Sequence, residues 1–234
     1  MTSLEPLSLS PLGVELLDDP AADPEVVTAS LRNIARANRW FGGSAAMRRG
    51  LARALRGLSP GTTVTLLDLG TGLGDLPRAA VRWAARRGVR LVPVGLERSP
   101  VAARLAAAGG VPCVVACAGL TPLRNRSVDV VLVSQVAHHL SDQSAVRLFR
   151  ECDRVARQAV VVADLRRGRL GPLAFWVGAR ALRFDPVTVA DGMTSIRRGY
   201  TPAELRGLLR AAGVHATVER RPGYRLVATW HPAA

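Results

Sequence analysis

The sequence predicts an α/β fold: a doubly wound, mostly parallel sheet with helices on both faces. Three observations carry this. From Thr62 onward, strand-length apolar runs alternate with amphipathic helical stretches, the pattern of right-handed βαβ crossovers. The first of these runs ends in an acid and glycines at alternate positions, Asp68, Gly70, Gly72 and Gly74, directly before a helix. The last two runs are consecutive strands around Arg221-Pro222-Gly223, which fit an antiparallel hairpin. At 234 residues the chain suffices for one such domain with a full core.

Each element has its own warrant. Residues 1–22 are rich in Pro, Leu and Asp and read as irregular. Val26 to Asn38 reads as a helix, with Val27, Leu31, Ile34 and Ala35 on one stripe; Asp23 caps it and Pro24 takes its first position. Trp40-Phe41-Gly42-Gly43 ends it, Ala45 to Arg56 forms a second helix, and Ser59-Pro60-Gly61 turns the chain. Strands follow at Val64–Leu69, Leu91–Leu96, Val111–Ala116, Val128–Ser134 and Ala159–Ala163; the fourth is apolar without a break from Val130 to Val133, as suits a buried parallel strand. Between them lie helices at Leu76–Arg87, Val101–Ala108 and Gln143–Ala156. Leu170 to Tyr200 is an insertion, apolar through Phe184, with Asp191–Tyr200 read as a loop. Thr201 and Glu204 form a capping box for a helix over Pro202–Ala212, and strands at Val214–Glu219 and Tyr224–Thr229 close the chain.

Composition excludes several chemistries. All 32 basic residues are arginine, so there is no Schiff-base lysine and no P-loop lysine. A net charge of +14 invites an anionic partner, but the arginines are scattered as pairs without interleaved aromatics. A GC-rich coding sequence accounts for them. Cys113, Cys117 and Cys152, odd in number and without C-x-x-C spacing, argue against a disulfide framework or a zinc site. No signal peptide is evident, and the apolar stretch near Leu170 is too short for a membrane span. A cytoplasmic protein is expected.

Asp68-Leu69-Gly70-Thr71-Gly72-Leu73-Gly74 is D-x-G-x-G-x-G, not the G-x-G-x-x-G of dinucleotide-binding folds. It resembles motif I of the class I S-adenosylmethionine (SAM)-dependent methyltransferases. The resemblance spans Thr62 to Thr229 and implies a Rossmann-like seven-stranded sheet with SAM as cofactor. It divides the chain into an N-terminal helical lid, 1–61, and a SAM-binding domain, 62–234, whose insertion at 170–200 roofs the substrate. The absence of an Asn/Asp-Pro-Pro-aromatic motif and the presence of His138-His139-Leu140 point to the small-molecule branch, of natural-product or quinone type.

In open α/β sheets, ligands sit beyond the carboxyl ends of the strands. By resemblance, the cofactor therefore meets Asp68, Gly70, Thr71, Gly72, Gly74 and Asp75 after the first strand. Glu97 and Arg98 follow the second, with Glu97 placed for the ribose hydroxyls. Cys117, Ala118 and Gly119 follow the third; the family's adenine-contacting Asp is replaced here by Cys117. Ser134 and Gln135 follow the fourth. Candidate catalytic residues are His138, His139 and Asp164. A near-neutral imidazole can accept a phenol or carboxyl proton during methyl transfer. For His138 this role and a helix-capping role stay open; His139 reads as structural. Trp40, Arg166, Trp176, Met193, Arg198 and Tyr200 are candidates to line an acceptor pocket, with an arginine available for a substrate carboxylate. Asp164 lacks the following Asn of the magnesium-dependent catechol-type enzymes, and no other cluster suggests a metal.

The reaction expected is metal-independent O-methylation of a small, largely apolar phenolic or carboxylic acceptor of secondary metabolism. C-methylation of an aromatic or quinone ring, RNA methylation and a non-catalytic partner subunit are the alternatives. No nucleic acid and no membrane insertion are expected, and a homodimer is compatible.

Overall fold

A computed structural model describes residues 7–13, 15–19 and 21–233. Helices α1 (Pro24–Trp40) and α2 (Gly43–Ala54) precede a Rossmann-like domain. It runs β1 (Thr63–Leu69), α3 (Asp75–Ala85), β2 (Arg90–Glu97), α4 (Pro100–Ala108), β3 (Cys113–Val115), β4 (Val128–Ser134), α5 (Asp142–Val155) and β5 (Ala156–Leu165). Then come α6 (Gly171–Ala181), α7 (Pro186–Arg198), α8 (Pro202–Ala211), β6 (Thr217–Arg221) and β7 (Arg225–Trp230). The seven strands are ordered β3-β2-β1-β4-β5-β7-β6. All are parallel except β7, which runs antiparallel to both neighbours. The order reverses between β1 and β4, and that switch point opens the crevice where ligands bind.

Strand periodicity divides the core. Leu67 and Leu69 of β1 face α5 and α8 through Leu148, Phe149, Leu205 and Leu209. Val64 and Leu66 face the opposite layer, with Leu76 and Trp83 of α3 and Met47 and Leu51 of α2. Helix α2 packs so closely that a Cβ on Gly50 would stand 2.2 Å from a Val161 methyl. The segment read as a lid therefore divides: α2 belongs to the core of the sheet, and only α1 and the strap before it lie over the crevice.

Local chemistry explains the element ends. The Asp23 carboxylate accepts from the Glu25 and Val26 backbone N–H groups. The Thr201–Glu204 capping box is formed. Gly42, at φ +85°, turns the chain so that α2 begins at Gly43, two residues before its expected start. The expected strand at Val111–Ala116 shrinks to three edge residues. The expected irregular chain over 1–22 lies partly outside the described residues; within it, Leu16–Asp18 forms a 3-10 turn.

The largest departure is at Asp191–Tyr200. Helix α7 runs to Arg198, begun by Asp185 as N-cap and Pro186 in its first turn. Gly192 lies in its middle. Its missing Cβ leaves the space taken by the Phe175 ring, whose atoms would come within 2.3 Å of one. The glycine lets α6 and α7 pack closely, at a cost in helix propensity.

Candidate functional site

A cavity of about 670 Å³ opens over the carboxyl ends of β1, β2, β4 and β5. Strand ends and the glycine loop build one half. Asp68, buried at the end of β1, accepts a hydrogen bond from the Thr71 hydroxyl at 2.8 Å. Burial pushes its carboxyl up to about 8, with the Asp75 and Glu97 charges adding and the Thr71 hydrogen bond opposing. Gly70, Gly72 and Gly74 all have positive φ. Glu97 at the tip of β2 accepts from the Gly72 N–H at 3.0 Å and from the Arg98 and Ser99 N–H groups at 2.8 and 3.1 Å. Asp75, held by the Asn38 amide, and Arg98, Cys117, Ala118, Ser134 and Gln135 also line the cavity. The Ser134 hydroxyl has no hydrogen-bond partner. Two expected cofactor residues stand off it: Gly74 caps α3, and Gly119 is covered by the Leu7 side chain.

The histidines occupy a 3-10 turn after β4 (Ala137–His139). His138 is 2% exposed. Its Nδ1 stands 2.6 Å from Asp164 Oδ1, and that oxygen also accepts from the Leu165 N–H at 2.7 Å. Burial works to raise the Asp164 pKa, but the His138 charge, its hydrogen bond and the Leu165 N–H outweigh it and hold the carboxylate below its usual range. The contact assigns the Nδ1 proton to the Asp164 side, which leaves Nε2 as an acceptor. Among the described residues Nε2 has no hydrogen-bond partner, and His138 lines the cavity. Asp164 itself lies behind the imidazole, outside the lining.

His139 faces the N-terminal strap. Its Nδ1 is 3.0 Å from Asp18 Oδ1, and its Nε2 is 3.8 Å from Glu15 Oε2. Arg198, 3% exposed, donates to Glu15 Oε1 at 3.0 Å and Asp18 Oδ2 at 2.9 Å. Glu15 Oε2 also accepts from the Ser195 hydroxyl at 2.7 Å. The strap is thus latched by charge to α7. The sequence suggested no metal-ligating cluster; among the described residues the fold assembles one grouping of that type, Glu15 with His138 and His139, with ligand atoms within 4.8 Å of one another.

The acceptor wall differs from expectation. None of the six residues named for it lines the cavity. Trp40 is 63% exposed and Trp176 44% exposed. Met193 stands off the lining. Arg166 stacks on the Tyr224 ring, Arg198 is locked in the latch, and the Tyr200 hydroxyl donates to the Ala137 carbonyl at 2.7 Å. The wall is instead Phe41, Phe175, Phe184, Ile196 and Tyr224. Phe41 meets Phe175 and Phe184 edge to face, at centroid distances of 5.5 and 6.2 Å. Phe175 and Trp176 are adjacent, and the 100° step of the helix turns one inward and the other out. The apolar stripe signalled such a wall but not its phase. Arg225 of β7 also lines the cavity; nothing local in sequence marked it.

Residues 67–163 match a family model described as a methyltransferase domain. No curated protein sequence matches the chain. Among solved structures, a SAM-dependent methyltransferase from Aquifex aeolicus is 17% identical, with TM-score 0.60, over 90% of this chain and 99% of that one. Magnesium protoporphyrin IX methyltransferase from Synechocystis PCC 6803, solved with SAM bound, is 12% identical, with TM-score 0.55, over 86% and 85%. A putative O-methyltransferase from Nostoc punctiforme PCC 73102 is 17% identical, with TM-score 0.57, over 84% and 58%. Among the described residues, no helix is long and apolar enough to cross a membrane.

Proposed function

We propose that this chain, whose residues 67–163 match a methyltransferase domain, is a class I SAM-dependent enzyme that O-methylates a small, largely apolar acceptor through a phenolic hydroxyl or carboxylic acid, without a metal. One observation carries this reading: the buried His138–Asp164 pair borders an aromatic-walled cavity, and its imidazole Nε2 has no hydrogen-bond partner among the described residues.

The cavity fits the cofactor. Gly70 and Gly72 expose backbone where side chains would intrude, Glu97 stands at the tip of β2, and the bare Ser134 hydroxyl awaits a partner. Bound SAM supplies a sulfonium methyl that is already electrophilic. The protein's own work is positioning, exclusion of water and proton transfer. Phe41, Phe175 and Phe184 hold the acceptor body and keep water out. Asp164 fixes the His138 tautomer and stabilises the imidazolium that forms when Nε2 takes the acceptor's O–H proton. The reaction needs no ion at Glu15, His138 and His139, because the Glu15 carboxylate is already engaged by Arg198 and Ser195. An acceptor of this kind supports the reading of a small-molecule enzyme.

The test is turnover against a panel of alkylphenols and aryl acids in the presence of EDTA, with products read by mass spectrometry. O-methylated product is expected, and His138→Gln should lower kcat about 10²- to 10⁴-fold with S-adenosylhomocysteine affinity unchanged. A His138→Gln variant that turns over like wild type sinks the role of the imidazole.

A further inference from the structure

We infer that Arg225 is an anion site at the acceptor end of the cavity, built to take the carboxylate of an amphiphilic acceptor whose remainder is apolar. This rests on the reading of the aromatic-walled half as the acceptor pocket.

Arg225 opens β7, is 4% exposed and lines the cavity. Its Nε donates to the Phe41 carbonyl at 3.1 Å and its Nη1 to Gln135 Oε1. Both partners are neutral. Nη2 donates to no described residue, and among those residues no carboxylate pairs with the guanidinium. The carboxylate whose field reaches it, Asp164, is spent on His138 and the Leu165 N–H. Burial lowers the Arg225 pKa to about 10, against the pull of Asp164, so the cation persists at neutral pH. A buried, unpaired guanidinium is costly unless something completes it. Of the other arginines the sequence offered for this purpose, Arg198 is taken by Glu15 and Asp18 and Arg167 by Glu204, while Arg166, stacked on the Tyr224 ring, does not line the cavity.

Position assigns the missing anion to the acceptor. In the strand order, β7 is three places from β1, roughly 14 Å at ordinary interstrand spacing; toward the glycine loop its connection is indirect, through Gln135, whose amide donates to Asn38, which in turn donates to Asp75. The neighbours of Arg225 are Phe41 and Tyr224, the aromatic wall. The other arginine lining the cavity, Arg98, adjoins Glu97 on β2, four places away. A guanidinium with free N–H groups on one edge suits a planar carboxylate, which accepts two parallel hydrogen bonds. An acceptor held this way keeps its carboxylate unmethylated on Arg225 and offers a separate hydroxyl to His138. An aryl acid with an apolar tail is the class that satisfies both groups.

Calorimetric titration with octanoate and 1-octanol, in the presence of saturating S-adenosylhomocysteine at pH 7.5, tests the site. Octanoate is expected to bind at least about tenfold tighter than octanol. Arg225→Met should bring octanoate down to the octanol level while S-adenosylhomocysteine affinity stays within twofold, and Arg225→Lys should restore part of the preference. Equal affinities in the wild-type protein overturn the anion site and leave the apolar pocket standing. Binding of neither probe overturns the apolar pocket as well. Loss of S-adenosylhomocysteine affinity in a folded Arg225→Met variant, with the octanoate preference intact, assigns Arg225 to the cofactor and overturns the inference.

Discussion

The two halves of the cavity are made in different ways. The half proposed for the cofactor comes from short stretches at strand ends: Asp68, Gly70 to Leu73 and Asp75, Glu97–Arg98 and Ser134–Gln135. The half proposed for the acceptor comes from single side chains far apart in sequence: Phe41 after α1, Phe175 in α6, Ile196 in α7 and Arg225 in β7. The first is held by backbone geometry, and the second by tertiary packing. A change in the first therefore acts through the main chain and is severe, whereas a change in the second acts through volume and charge and is graded.

The largest effect is expected at Gly70. Its φ is +71°, and an added Cβ would lie 2.4 Å from a Val136 methyl. Gly70→Ala should abolish measurable S-adenosylhomocysteine binding, at least 100-fold by titration, with strain of about 1–3 kcal/mol visible as a lower Tm. Gly57 is the control: its φ is +84°, but nothing lies within 4 Å of the position a Cβ would take. Gly57→Ala should lose a little stability and no affinity. Equal losses of affinity in the two variants would erase the distinction between a cradle and an ordinary turn.

That asymmetry also governs what could be read from sequence. The alternation of strands and helices, the hairpin and the glycine loop are local patterns in hydrophobic period and turn chemistry, so they were legible. Gly74 and Gly119 fail to reach the cavity for reasons of packing: one is consumed by the α3 cap and the other lies under Leu7. Trp40 and Trp176 misled because large aromatics suggest pockets, while helix phase turned both toward solvent. Arg198 looked free for substrate because its partners, Glu15 and Asp18, stand about 180 residues earlier in the chain. Arg225 lay at the start of a strand with no motif around it. Its significance exists only once β7 is seen beside β5.

An intermediate effect separates neighbouring aromatics on α6. Phe175 lines the cavity and touches Phe41 at 5.5 Å; Trp176 is 44% exposed. Phe175→Ala should raise the acceptor KM about tenfold, the scale of roughly 1.4 kcal/mol, and leave S-adenosylhomocysteine affinity alone. Trp176→Ala should change either quantity less than twofold. The reverse ranking would place the acceptor on the outer face of α6.

The smallest effect belongs to the latch between the two halves, and it depends on pH. Burial works to lower the His139 pKa, but the Asp18 hydrogen bond and the Glu15 and Asp18 charges outweigh it and raise the value, with Arg198 opposing. A raised folded-state pKa stabilises the fold fully below the ordinary value of about 6.5 and loses that contribution as pH climbs past the raised one. Asp18 works in the other direction. Burial pushes its pKa up, but the His139 hydrogen bond and charge, the Glu15 backbone and Arg198 bring it well below the usual range. Its contribution is present above the ordinary value of about 3.9 and fades as pH falls through the lowered one. Both contributions coexist between about pH 4 and 6.5. Thermal melts of wild type and His139→Gln should therefore differ most in that window, by about 2–4 °C, and converge in alkaline buffer. A difference that stays constant with pH would mean that Arg198 alone holds the strap to α7, with His139 serving as packing.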